Sequence, residues 1–580
     1  MNPPETPALD KAETLKAASD YLRGSIAREL AAPTDHFSAD ASALLKFHGM
    51  YQQDDRDQRQ SSAQGKTKVY SLMVRGRIPG GRLSASQYAV WDDIASQYAN
   101  GSLRITTRQS FQLHGVLKSN VKPVIQAIHR ALLSTVAACG DVARNVTQAP
   151  NPLGLFELSL LDGVAATLSD HFKPKTPAYA EIWLDDEKVA AVTAASEDAS
   201  AQTPETQAEP LYGATYLPRK FKMAVTLAGN NTVDLYSNDL GFAATLRSDG
   251  RIDGYFVFVG GGQGMTHNKP ETFPRLADCL GWIPEWDLIP VAEAVLTTQR
   301  DYGDRSNRRH ARLKYLLHDR GVEWFRGEVE ARSGVRFNGE IPLAPWQTPS
   351  YLGWRKRADG RWSLGCHTLS GRIVDRQSAP LKSTLRAIID AYALDVQLTC
   401  DQDLILLGVE EADKPAIEAR LAEAGLDLSS PAPLYDRALA CVALPTCGLA
   451  ITESERYLPT LLPVIQSALE RHGLSQRAPV VRMTGCPNGC ARPYSAELAL
   501  VGRSPGVYAV FSGGNVEGTR LAELLSEGVR DADFPAYVDR LFALWRAQGE
   551  PAERLGDFIA RYSIPAAREA LAPPSLETSS

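Results

Sequence analysis

The chain has 580 residues, 44% of them hydrophobic and 22% charged, and a formal net charge of −6. That length allows roughly four domain-sized units of about 150 residues each, while the acidic balance argues against a nucleic-acid binder, which carries a basic surplus. No apolar run of roughly eighteen residues offers a membrane span and no secretory h-region opens the chain; eight cysteines are too sparse for a disulfide scaffold, so a cytoplasmic protein is expected.

Residues 1–60 read as an N-terminal arm. In Leu72–Gly81, Arg75 and Arg77 share a strand face. The stretch Leu103–Val116 reads as strand, turn, strand, with Arg104, Arg108, Gln112 and His114 on even positions. A helix follows, its apolar face marked by Val121, Val124, Ile125, Ile128 and Leu132, with Asn120 as cap and Pro123 in the first turn. Cys139, Cys279, Cys366 and Cys400 stand singly and are expected to be small core residues. Arg144 precedes Asn145 in a turn-rich stretch. Ala194–Pro210 is small, polar and acidic, and is expected to be a flexible surface insertion. In Arg219–Leu227, a period of two puts Lys220 and Lys222 on one strand face and Phe221 and Met223 on the other. Two adjacent ammonium groups ask for an anion between them, although an edge strand using lysines against aggregation would look the same. The glycine run 260–264 lacks dinucleotide spacing, but would let backbone approach a flat macrocycle. The basic run Arg300–Lys314 fits either a solvated helix face or, for part of it, a carboxylate-bearing cofactor.

A long-period repeat organises the chain. Leu103–Val116 aligns without gaps on Val396–Val409, Gly254–Thr266 echoes Val507–Thr519, and Arg144-Asn-Val echoes Arg482-Met-Thr. A period of about three hundred residues is far too long for a solenoid. It implies two related halves, each a small α+β module followed by a larger one: 61–135 and 136–335, then 336–428 and 429–572, with a flexible tail at 573–580. His114 is replaced by Leu407 in the second copy, so the fold does not require a polar residue there.

Only the second half carries paired cysteines, Cys441/Cys447 and Cys486/Cys490. Four thiols on Pro/Gly-containing loops match the ligand count of a [4Fe–4S] cube, and their five- and three-residue gaps fit a zinc ribbon poorly. Buried structural cysteines are the alternative.

The residues around these cysteines, Ala440–Arg456 and Arg482–Cys490, resemble the sirohaem/[4Fe–4S] sulfite and nitrite reductases. So do His48–Arg56, Pro218–Lys222 and Thr297–Asp301. The resemblance runs from about residue 20 to the end. It implies an α+β fold of two pseudo-twofold-related halves, each a ferredoxin-like module followed by a larger mixed sirohaem-binding module, with the cofactors held between halves. It implies that Cys441, Cys447, Cys486 and Cys490 ligate the cluster, Cys490 also bridging to sirohaem iron. By the same resemblance Arg75, Arg144, Lys220 and Lys222 surround the substrate, while Arg104, Arg108, Gln112, His114, Arg300 and Asn488 contact the cofactors. The implied activity is reduction of sulfite to sulfide, with nitrite reduction as the alternative; Lys222 favours sulfite, since asparagine tends to stand there in nitrite enzymes. No flavin or dinucleotide motif is present, so electrons are expected from a separate flavoprotein (FAD/FMN, NADPH-oxidising) or from ferredoxin.

Overall fold

A computed structural model describes residues 8–62, 65–184, 209–429 and 431–572. Of the expected insertion 194–210 only Glu209 and Pro210 fall among them, and the expected tail 573–580 lies outside. Glu209 is not a surface residue: it is 1% exposed, and its carboxylate accepts from the backbone N–H groups of Lys175 and Thr176. Composition counts such a carboxylate as solvated until buried donors claim it. Among the described residues no helix is long and apolar enough to cross a membrane.

The chain divides into two compact units, Met1–Gly262 with Ala277–Ser429, and Gln263–Leu276 with Ser430–Ser580. In the first unit, two small sheets each borrow a strand from the other half. One is ordered Met50–Asp54, Tyr70–Arg75, Phe111–Val116, Leu103–Ile105, Arg372–Ile373; the other Gly353–Lys356, Trp362–Cys366, Leu404–Val409, Asp395–Leu398, Arg82–Leu83. The exchange is reciprocal down to single hydrogen bonds. Gln109 and Gln402, which align in the repeat, both have positive φ (49° and 70°). Gln109 donates to the Leu398 carbonyl at 2.9 Å, and Gln402 to that of Ile105, the residue aligned with Leu398, at 3.2 Å. Gly81 and Gly371 follow the same rule: a Cβ on either would collide with the Leu398 or Ile105 carbonyl of the other half.

Three expectations change here. The strand Met50–Asp54, read as part of an arm, pairs antiparallel with Tyr70–Arg75 as the sheet edge. The helix Val121–Arg130 buries Val121, Val124, Ile125 and Ile128 completely, each contributing about 2 kcal/mol of transfer free energy. Leu132 lies past its end, with φ of 59° and 91% exposure, and Asn120 makes no side-chain cap because a 3-10 turn precedes the helix.

The third sheet of the first unit is ordered Asp278–Pro284, Ile252–Val259, Leu240–Leu246, Met223–Leu227, Thr147–Gln148. The sheet of the second unit, Leu439–Ala440, Val481–Thr484, Leu498–Ser504, Val507–Ser512, Glu523–Arg530, has the same topology. In both, the first three strands in chain order are parallel and the last two antiparallel. Helices then follow in matching order, Leu288–Tyr302, Leu313–Arg320 and Val322–Ser333 against Phe534–Gln548, Leu555–Tyr562 and Ile564–Leu571.

Registers align these two sheets residue by residue. Leu240 pairs with Met223 as Leu498 pairs with Val481. Arg482 therefore corresponds to Ala224, not to Arg144, and the short Arg144/Arg482 sequence echo is coincidental. The same register sets Asp239 against Glu497. Asp239 accepts from the Lys222 backbone N–H at 2.9 Å and pairs with Arg312 at 2.6 Å; Glu497 accepts from the Val480 N–H at 2.9 Å and pairs with Arg554 at 2.5 Å. Each arginine directly precedes the second helix of its set.

Candidate functional site

The first unit gathers cations around the start of the strand Met223–Leu227. Phe221 and Met223 are fully buried while Lys220 and Lys222 are half-buried on the other side, so the expected alternation holds although the regular strand starts only at Met223. No protein acceptor lies within hydrogen-bonding reach of either ammonium among the described residues. Burial, then Lys222, Arg312, Arg144 and Arg219, push Lys220 well below its ordinary value. Burial, Arg108, Arg312 and Arg144 push Lys222 down to about 7 against the pull of Asp239. Two ammonium groups without a protein hydrogen-bond acceptor would be stabilised by an anion between them.

The repeat shows that the fold does not need them. By register, Ala478 and Val480 stand where the first copy has Lys220 and Lys222, whereas the carboxylate–arginine clamp beneath is kept in both. Cysteines follow the opposite rule: Ala149 and Ala228 stand where the second copy has Cys441 and Cys486.

Arg75, Gln112 and Arg104 are cross-strand neighbours. The Gln112 amide oxygen, turned toward Arg75, accepts from its guanidinium, and His114 approaches Gln53 at 3.2 Å. Arg144 donates to the Gly140 carbonyl at 3.0 Å. Two residues expected to contact the cofactor bond protein atoms in this structure. Arg108 spends its terminal nitrogens on Asn238 Oδ1 (2.6 Å) and the carbonyls of Asn145 (2.6 Å) and Met223 (2.7 Å), so it pins the lysine strand. Arg300 pairs with Asp301 and donates to the Leu211 carbonyl at 2.7 Å. Arg308 and Arg312 of the same run likewise pair with Asp141 and Asp239. Arg77 leaves the strand face it was expected to share with Arg75 and donates to Ser169 and to the Ala143 carbonyl. A Cβ on Gly261 or Gly262 would strike the Tyr236 carbonyl or the Arg312 guanidinium.

Residues missed from sequence complete the recess. Cys139 is fully buried, as expected of a core residue, but it also accepts from Arg75 Nη1 at 3.0 Å; Cys279, expected in the core, is exposed. The Tyr51 ring has Lys46 and Arg75 over it at 5.8 and 6.0 Å. Nothing in the local sequence marks Cys139; Tyr51 at least lies in the His48–Arg56 motif.

In the second unit the four paired cysteines feel one another. Burial raises Cys441, and Cys490, Cys486 and Cys447 add to it. Burial and then Cys490 push Cys486 up to about 12 despite the Asn488 amide, which donates to its sulfur at 3.4 Å. Held together as thiolates, these sulfurs would need bound cationic charge. Among the described residues no group of three or more His, Cys, Asp or Glu side chains is placed to hold a metal ion. The loop Cys486–Cys490 is braced by the excursion from the first half that belongs to this unit. Met265 N–H donates to the Pro487 carbonyl and Gln263 Oε1 accepts from Tyr494 N–H, both at 2.9 Å.

Comparison with known proteins adds the following. A family model described as the nitrite and sulphite reductase 4Fe-4S domain matches residues 163–337, and one described as the nitrite/sulfite reductase ferredoxin-like half domain matches 64–131 and 355–424. Only Cys279 lies within 163–337, so the paired cysteines belong to the second copy of that module. The chain is 45% identical to "Sulfite reductase [ferredoxin]" of Synechococcus elongatus, over 98% of this chain and 92% of the relative. It is 45% identical to "Sulfite reductase [NADPH] hemoprotein beta-component" of Myxococcus xanthus (95% and 96%) and 47% identical to the like-named protein of a Methylobacterium species (96% and 90%). The solved structure of the Mycobacterium tuberculosis NirA protein has the same fold, with a TM-score of 0.77 at 23% identity, covering 96% of this chain and 97% of that one.

Proposed function

Because the chain belongs to the nitrite and sulfite reductase family, we propose that it is the haemoprotein component of an assimilatory sulfite reductase. The reaction takes six electrons and seven protons per sulfite dianion, leaving hydrosulfide and three waters. Sirohaem and a [4Fe–4S] cluster, when bound, supply the electrons and the iron at which sulfite is held. Cys441, Cys447, Cys486 and Cys490 would ligate the cluster, with Asn488 steadying Cys486 and Cys490 shared with sirohaem. Arg104, Gln112 and His114 would face the haem carboxylates.

Arg75, Arg144, Lys220 and Lys222 would take the substrate. Their part is to neutralise sulfite, orient its oxygens and deliver protons as each oxygen leaves as water. Arginine does not deprotonate in proteins, so proton delivery falls to the lysines. With Lys222 near 7, the ammonium both gives and regains a proton at neutral pH. The observation that carries this reading is the pair of ammonium groups without a protein acceptor, at positions where the repeat has alanine and valine.

The electron donor is taken to be a separate flavoprotein oxidising NADPH, on the His48–Arg56 motif; ferredoxin is the second reading, since a relative of equal identity is named for it. The test is direct. Purified protein carrying isobacteriochlorin absorption should form sulfide from sulfite with a reduced viologen dye, and more slowly from ferredoxin than from an NADPH flavoprotein. Absence of sulfide would end the proposal; preference for ferredoxin would reverse only the donor.

A further inference from the structure

The segment that leads into Lys220 is held by buried charges, and one of them comes from the first helix, Lys11–Ala17. Three consecutive carbonyls are each claimed by a different cation. Arg305 donates to Tyr216 at 2.7 Å, Lys16 to Leu217 at 2.7 Å, and Arg308 to Pro218 at 3.4 Å. Asp141 ties two of these cations, Lys16 and Arg308, to Arg219. It receives Arg308 through both terminal nitrogens (2.8 and 3.0 Å), has Lys16 at 3.7 Å and Arg219 at 3.8 Å, and its own carbonyl accepts from the Leu217 N–H at 3.0 Å. Glu13 completes the set, pairing with Lys16 at 2.6 Å and with Arg305. Lys16 and Glu13 are each 2% exposed and Asp141 3%.

We propose that this network, centred on Asp141 and completed by Lys16, is the positioning device of the substrate lysines, so that the first helix is part of the anion site. The inference rests on the reading of Lys220 and Lys222 as sulfite ligands. Removing Lys16 would strand the Leu217 carbonyl and leave Glu13 and Asp141 short of a partner in a buried site. The chain would then relax three residues ahead of Lys220. The network also keeps the recess positive, because Lys16, Arg219, Arg305 and Arg308 outnumber Asp141 and Glu13. Anion capture would suffer before cofactor loading or electron transfer.

The experiment compares Lys16→Met with wild-type holoenzyme, with Lys220→Gln as reference. Sulfite KM and kcat are measured with a viologen donor, the sulfite dissociation constant by spectral titration of the oxidised enzyme, and cofactor content by iron analysis and absorption. Lys16→Met should raise both KM and the dissociation constant about tenfold or more, with kcat within about threefold and cofactor content unchanged. Wild-type affinity in Lys16→Met, or a parallel loss of cofactors and kcat without a KM effect, overturns the proposal. If Lys220→Gln itself leaves sulfite affinity intact, the reading beneath it fails; if Lys220→Gln weakens sulfite and Lys16→Met does not, only the network's role fails. Asp141→Asn serves as a second variant, expected to shift KM in the same direction.

Discussion

Replacing Lys222 with asparagine removes one of two ammonium groups from a site in which burial, then Arg108, Arg312 and Arg144, already depress it. A unit charge about 4 Å from an anion, at an effective dielectric constant of about 20, interacts by about 4 kcal/mol, and a dianion by about twice that. Desolvation offsets most of this, and the net value of a charged hydrogen bond is about 1.5–3 kcal/mol. Sulfite carries up to two charges near neutral pH and nitrite one, so the variant should lose about 10- to 100-fold in kcat/KM for sulfite and about 3- to 10-fold for nitrite, a relative loss of about 3- to 10-fold. The pH dependence follows from the lysine. With a folded value near 7, Lys222 is charged below that pH and neutral above it; recharging it at about pH 8.5 costs about 2 kcal/mol. The wild-type preference for sulfite should therefore decline as pH rises through about 7, and the variant should lack that decline. Steady-state assays with both anions and a viologen donor, across about pH 6 to 9, measure both effects. An unchanged sulfite-to-nitrite ratio, or the same pH limb in the variant, would refute the reasoning.

Cys490→Ser should alter both the cluster signature and the haem absorption, whereas Cys279→Ser should alter neither; equal spectra for Cys490→Ser and wild type would place the shared thiolate elsewhere. Cys139→Ala removes the acceptor for Arg75 and should raise sulfite KM about two- to tenfold, the scale of one hydrogen bond, with full cofactor content; iron loss instead would return Cys139 to a core role. Burial pushes Glu209 up to about 7, above the unfolded value of about 4.3. Between those values the folded protein holds a proton that the unfolded chain has released, so stability falls by about 3 kcal/mol as pH rises across the window. Glu209→Gln should flatten that fall in urea denaturation, and an unchanged slope would contradict the assignment. Arg108→Lys cannot span Asn238 and two carbonyls with one ammonium, and should lower the unfolding free energy by about 2–3 kcal/mol, measured by the same titration.

The sequence by itself determined the duplication, the apolar face of the helix after the first repeat, the alternation at Lys220 and Lys222, and the confinement of paired cysteines to one half. These are local periodicities or long gap-free matches, and they survive into the structure because side-chain direction follows backbone period. Only the tertiary structure decided which cations are spent inside the protein. Arg77, Arg108, Arg300, Arg308 and Arg312 look no different in sequence from Arg75 or Arg144; carboxylates and carbonyls distant along the chain take them up. The same holds for Glu209, polar by composition and buried by its donors, and for Cys139, which meets Arg75 from 64 residues away. The strand exchange between halves and the true partner of Arg482 also needed the folded registers. A charge acquires its role from what compensates it, and for these residues the compensation comes from parts of the chain that no local pattern connects.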